Sequence, residues 1–75
     1  MTSTRNIHVV PNPNGWAVQQ EHGGRPLSVH ATQAEAIASG RERARVDRVE
    51  LVVHDRAGQI SHRDSYGNDP YPPKG

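Results

Sequence analysis

Thr32-Gln-Ala-Glu-Ala-Ile-Ala-Ser-Gly-Arg-Glu-Arg-Ala-Arg-Val-Asp-Arg-Val-Glu-Leu-Val-Val-His54 joins two elements of different kinds, and their order sets the fold class. The first four residues form a capping box. The Thr32 oxygen is placed to accept the N–H of residue 35, and Glu35 to reach back to the N–H of Thr32. The spacing predicts a helix over 33–46. Ala34, Ile37, Ala38, Gly40, Arg41 and Ala44 fall near one face, small enough for the helix to lie close on a sheet. Gly40 costs about 1 kcal/mol against alanine in a helix interior, a cost that tight backbone packing can offset. Glu42, Arg43 and Arg45 face solvent, and Asp47-Arg48 ends the helix. Val49-Glu-Leu-Val-Val-His54 then reads as the strongest strand of the chain, rich in β-branched residues. It is apolar on both faces, with Leu51 and Val53 on one and Val52 on the other.

Working outward, Ile7-His-Val-Val10 reads as a first strand, with Ile7 and Val9 on one face and His8 and Val10 on the other. Asn14-Gly15 is a strong hairpin signal, because both residues tolerate positive φ. Strand two, 16–21, sets Trp16 and Val18 on one face. His22-Gly-Gly-Arg25 makes a second turn, and 26–30 is a third extended piece with Leu27 and Val29 in phase. Beyond the helix and its strand, Asp55-Arg-Ala-Gly58 turns the chain into a short last strand over 59–63. The expectation is a two-layer α+β domain: an antiparallel sheet in chain order β-β-β-α-β-β, with one helix on one face. Residues 1–6 are expected to be a flexible N-terminus, 7–63 the domain, and 64–75 an extended C-terminal arm. One helix leaves the other sheet face uncovered, so Val10 and Val52 need cover from the arm or from another subunit.

The arm, Asp64-Ser-Tyr-Gly-Asn-Asp-Pro-Tyr-Pro-Pro-Lys-Gly75, holds both tyrosines and four of the six prolines. Proline lacks the N–H and fixes φ, so this segment extends neither a helix nor a central strand. Gly67 and Asn68 permit a tight turn, Pro70 holds Asp69 extended, and a polyproline stretch follows. Tyr66, Asn68, Asp69, Pro70, Tyr71 and Pro72 are therefore candidate anchors of an arm docked on its own sheet or on a sister subunit, with presentation to another protein as the alternative. Trp16, needed by a lean core, is the candidate base for it.

The 75 residues make one domain, and the hydrophobic fraction is only 32%. A chain this short buries little more than ~60% of its unfolded surface, so a monomer is marginal. With no cysteine, neither a disulfide nor a zinc–thiolate site can support it. Oligomerisation is the remaining common remedy, and a homo-oligomer, most simply a two-fold dimer, is expected. A net charge of +1 is balanced and does not by itself call for a polyanion partner. No apolar run is long enough for a membrane, and the start lacks the hydrophobic stretch of a signal peptide. A cytoplasmic location is expected.

The run His8-Val-Val-Pro-Asn-Pro-Asn-Gly-Trp16, then Thr32-Gln-Ala-Glu-Ala-Ile37, then Glu50-Leu-Val-Val-His54 with Gly58, then Asp64 to Gly75, resembles the small bacterial proteins of domain-of-unknown-function family 2188. The resemblance covers nearly the whole chain after residue 6, with Gly15-Trp16 and the tail as its specific motifs. Gly40 stands where the family pattern would have alanine. The resemblance implies a compact single α+β domain and supplies no activity, substrate or cofactor.

Five histidines are a high share. If strands one and four are neighbours, His8 and His54 meet on the uncovered face. No two histidines stand at a local ligand spacing, so no metal is expected. Ser61, Ser65 and His62, with Asp55, Asp64 and Asp69, assemble a nucleophile, base and orienting group on paper, but nothing fixes them in one cleft. Gly23-Gly24 fits no phosphate-binding pattern. No enzymatic activity, cofactor or small-molecule ligand is expected. Arg41, Arg45 and Arg48, with Arg43 nearby and Arg5 as a further candidate, form a basic edge at the helix C-terminus. They support the alternative of a small nucleic-acid-binding protein.

Overall fold

The computed structural model describes residues 5–66. The strands are β1 (Ile7–Asn12), β2 (Gly15–Gln20), β3 (Ser28–His30), β4 (Glu50–His54) and β5 (Ile60–Ser65), and α1 (Gln33–Asp47) stands between β3 and β4. The element order is as the sequence predicts. The five strands form one sheet in the order β3-β2-β1-β4-β5. β1 pairs antiparallel with β2, β2 with β3, and β4 with β5, but β1 and β4 run parallel. The sheet is therefore mixed, which corrects the antiparallel expectation. The reason is the helix. Two hairpin reversals leave β3 pointing the same way as β1, and α1 carries the chain back to its starting end. β4 thus repeats the direction of β3, and its place beside β1 makes that pair parallel. β4 is a central strand, flanked by β1 and β5, as its apolar residues on both faces require.

The ends of the elements follow local chemistry. The first hairpin pairs Asn12 with Gly15 across a two-residue loop, Pro13-Asn14. Asn12 Oδ1 accepts the Asn14 N–H at 2.9 Å. Gly15 takes a φ of 133°, while Asn14 is not at positive φ, so only half of the predicted Asn-Gly signal operates. At the start of α1 the Thr32 hydroxyl accepts the Glu35 N–H at 3.2 Å, as the capping box predicts. At its end Arg48 adopts the left-handed conformation (φ 58°), and the Val49 N–H donates to the Ala44 carbonyl at 3.0 Å. That is the pattern of a Schellman cap, with arginine where glycine is usual. β5 extends to Ser65, two residues beyond the predicted strand. The sheet's hydrogen bonding also begins one residue early: the Asn6 carbonyl accepts the Glu21 N–H, and its side-chain oxygen accepts that of Glu50.

The core lies between α1 and one sheet face. Ile7, Val9, Trp16, Val18, Leu51 and Val53 supply the sheet side, and Ala36 and Ala44 the helix side, with Val49 below and Ile37 and Tyr66 packed at the margin. The buried stripe of the helix is Ala36, Gly40 and Ala44. The predicted stripe is thus rotated: Ala34, Ala38 and Arg41 are exposed. Spacing of four residues keeps the three smallest contacts one above another, and this is what lets the helix approach. A Cβ on Gly40 would lie 3.0 Å from Leu51 Cδ1 and 3.2 Å from Val9 Cγ2. Among the described residues, no helix is long and apolar enough to cross a membrane.

Candidate functional site

The face away from α1 carries the groups not used by the core. Side chains directly opposite in a sheet share a face, so the strand register can be read as rows. Val29 stands opposite Ala17, and Ala17 opposite Val10. One further step of the β1–β4 register sets Val10 beside His54, and His54 stands opposite Ile60 across an irregularity after Val53. The result is a mostly apolar row, Val29–Ala17–Val10–His54–Ile60, crossing all five strands. The next row runs Gln19–His8–Val52–Arg63. Val52 is only 3% exposed and Ala17 is fully buried, so neither displays itself to water and neither requires a second subunit for cover. Val10 is half-buried. The exposed apolar groups of the row are its ends, Val29 at 44% and Ile60 at 53%.

The adjacency of β1 and β4 brings His8 and His54 together, as the sequence reading anticipated for that strand order. His8 Nδ1 and His54 Nε2 are 2.9 Å apart, and the rings stack with centroids separated by 5.1 Å. His54 Nδ1 lies 3.1 Å from the Gly58 carbonyl oxygen, and His8 Nε2 lies 3.4 Å from Glu21 Oε1. Donor and acceptor roles follow from this chain. A carbonyl only accepts, so His54 Nδ1 carries hydrogen and donates to Gly58. A neutral His54 then accepts at Nε2, so His8 Nδ1 donates. His8 Nε2 faces a carboxylate, and that contact is favourable with hydrogen there too. The His8 contact holds the Glu21 carboxyl below its ordinary range, with Asn6 and the His22 charge adding to the effect and partial desolvation opposing it. A shallow cleft of about 250 Å³ lies here, lined by His8, Val10, Gln19, Glu21, His22 and His54 among others.

The cleft has proton-carrying groups but no nucleophile beside them among the described residues. The Ser61 hydroxyl donates to the Val53 carbonyl, and His62 is 3.0 Å from Asp64, so the paper constellation of Ser61, His62 and Asp64 is spread along an exposed edge. Among the described residues no group of three or more His, Cys, Asp or Glu side chains is placed to hold a metal ion. Glu21, Gln19 and His22 were not singled out from sequence. The turn at Pro13-Asn14 fixes the register that sets Gln19 opposite His8, so the signal lay in the hairpin loop.

Other predicted residues are scattered. Trp16 is 6% exposed and belongs to the core, and the Arg56 guanidinium lies 5.4 Å from its ring centre, a cation–π distance. Tyr66 packs on the core of its own chain, and its N–H donates to the Val49 carbonyl at 3.3 Å. Asn68, Asp69, Pro70, Tyr71 and Pro72 lie outside the described residues. Arg41, Arg45 and Arg48 are exposed. Arg45 is bound to Glu42 and Arg43 to Asp47, each at 3.0 Å, which leaves the helix edge less cationic than its sequence.

The family model of domain-of-unknown-function 2188, described as an uncharacterised protein conserved in bacteria, matches residues 7–66. The chain belongs to this family. In this DUF2188 domain the match runs from the first residue of β1 to Tyr66, the last described residue, which packs on the core. Residues 67–75, which the sequence resemblance included, lie beyond it. No curated protein and no solved structure matches the chain.

Proposed function

We propose that this DUF2188 domain is a non-enzymatic structural or interaction module that works in the cytoplasm as a homo-oligomer, most simply a two-fold dimer. The observation that supports this reading lies on the sheet face away from α1: among the described residues its apolar row ends in Val29 and Ile60, about half exposed at opposite edges. A core with eleven buried hydrophobic residues among those described, two of them alanines of the helix, is small support for a folded monomer. Association would add the buried area that the chain lacks.

Light-scattering mass over a concentration series tests the proposal, on the full chain and on a version ending at Tyr66. The cut belongs there, because ending at Arg63 would remove Asp64 and Ser65 from β5 and Tyr66 from the core margin. A dimer is the expected result for the full chain. A monomeric shorter version would assign the contact to residues 67–75, and a dimeric one to the sheet. A fully folded monomer of the full chain at millimolar concentration would end the reading. Nucleic-acid binding through Arg41, Arg45 and Arg48 is the alternative, weakened by the Arg45–Glu42 pair. It requires binding to DNA that falls steeply with salt, and no binding in dilute buffer would dispose of it.

A further inference from the structure

The reading above leaves open which surface joins the copies, and the pattern of charge on β5 answers that. β5 is an edge strand, and five of its six residues are exposed. The Tyr66 N–H points inward to Val49. Alternation along an antiparallel ladder then turns the peptide groups of Asp64 and His62 inward and those of Arg63 and Ser65 outward. Among the described residues nothing pairs with that outer edge. An open edge accepts almost any strand unless its side chains discriminate. Here the discriminating residues are His62, Arg63 and Asp64.

We propose that β5 pairs antiparallel with β5 of a second copy of this chain about a two-fold axis at Arg63, joining the two sheets edge to edge. This rests on the self-association reading and names its contact. With the axis at Arg63 the outward peptide groups of the two Arg63 residues bond to each other. His62 then stands opposite Asp64 of the second copy, and Asp64 opposite its His62. These are the pairs without backbone hydrogen bonds, where side chains come closest. His62 and Asp64 already attract one another within the chain at 3.0 Å, with 60% and 34% of their side chains exposed, so their polar atoms are presented at this edge. Moving the axis by one residue sets His62 against His62 or Asp64 against Asp64, which removes the complementarity. The cost of the chosen register is the meeting of two Arg63 side chains on the opposite face. Each lies 3.7 Å from Glu50 of its own β4, which offsets that repulsion.

Sedimentation velocity from micromolar to millimolar concentration tests this on the full chain and on four variants, each checked for its fold by circular dichroism. His62→Asp and Asp64→His each break both symmetric pairs and replace them with like-charged or like-ring neighbours. Each should weaken the dimer about tenfold or more. The double variant carrying both changes restores opposite partners and should return to within about threefold of the native constant. Arg63→Pro removes the axial N–H at an edge position that tolerates proline, and should abolish the dimer while the domain stays folded. If the native chain dimerises but is unmoved by the single changes or by Arg63→Pro, or if the double variant fails to recover, the β5 contact is wrong and self-association runs through another surface. If the native chain stays monomeric throughout, both readings fall.

Discussion

Adding a single methyl group at Gly40 sets two opposing effects against each other, and the structure decides between them. In a solvated helix, glycine to alanine gains about 0.8–1 kcal/mol of helix propensity. At Gly40 the new Cβ would lie 3.0 Å from Leu51 Cδ1, 3.2 Å from Val9 Cγ2 and 3.6 Å from Ile7 Cγ2. All three side chains are fully buried. Two of the contacts are tighter than ordinary van der Waals distance, and their owners have no open space to move into. Overpacking of this kind costs about 1–3 kcal/mol. The overpacking term is the larger, and Gly40→Ala should destabilise the domain by about 1 kcal/mol. In a chain of this size that lowers Tm by about 4–8 °C. Urea unfolding followed by circular dichroism measures it, at a protein concentration held constant so that association does not enter. The diagnostic companion is Gly40→Ala combined with Leu51→Val. If the steric account is right, the methyl group costs less in that background than in the native one. A Gly40→Ala variant more stable than the native chain by 0.5 kcal/mol or more would refute the reasoning, because propensity would then outweigh packing (about ±0.5 kcal/mol is the size of an ordinary neutral change).

Three further outcomes follow from local geometry. Gly15→Ala drives a Cβ into the His30 carbonyl oxygen at a φ of 133°, so a loss of about 2–4 kcal/mol is expected, seen as an unfolded or barely folded chain by circular dichroism. Arg48→Gly relieves a left-handed arginine at φ 58° and should stabilise the domain by about 0.5–1 kcal/mol in the same urea assay; a loss would mean that the arginine side chain matters more than its backbone. The depressed Glu21 carboxyl predicts an acid limb: its stabilisation is fully present above the ordinary unfolded carboxylate pKa, about 4.3, and is lost as pH falls through the lower folded value. Glu21→Gln should flatten that part of the stability–pH curve, and an unchanged acid limb would show that the His8–Glu21 contact carries no linkage.

Most of the fold was legible because its determinants are local. The capping threonine, the alternation of Ile7 and Val9, and the two-sided strand 49–54 are each visible in a few consecutive residues, and all three appear in the structure. The parallel β1–β4 pair was not, since it depends on where α1 returns the chain, a fact that no window of residues contains. The helix face was misassigned for a related reason. With four alanines and a glycine in twelve residues, several stripes look alike in sequence, and only the close approach to Leu51, Val9 and Ile7 selects Ala36, Gly40 and Ala44. Of the candidate site, the His8–His54 meeting was readable as a consequence of one strand order. Glu21 was hidden behind a hairpin register that the sequence places only once the turn is set at Pro13-Asn14 rather than Asn14-Gly15.

The parallel seam also bears on how the chain finds its structure. The hairpins β1–β2 and β4–β5 are closed by short turns and can form early and independently. The seam between them joins residues 46 positions apart at the His8–His54 contact, so it closes late, after α1 has nucleated and turned the chain. Neither hairpin has a covered face until then, and two-stranded ribbons alone are marginal in water. Folding should therefore be cooperative, with a rate set by seam closure. Substitutions within one hairpin should chiefly speed unfolding, whereas those at Val9, Val53 or Gly40, where strands and helix converge, should also slow folding. The two stacked imidazoles straddle that seam, and their ring resonances would record the moment at which two separate ribbons become one sheet.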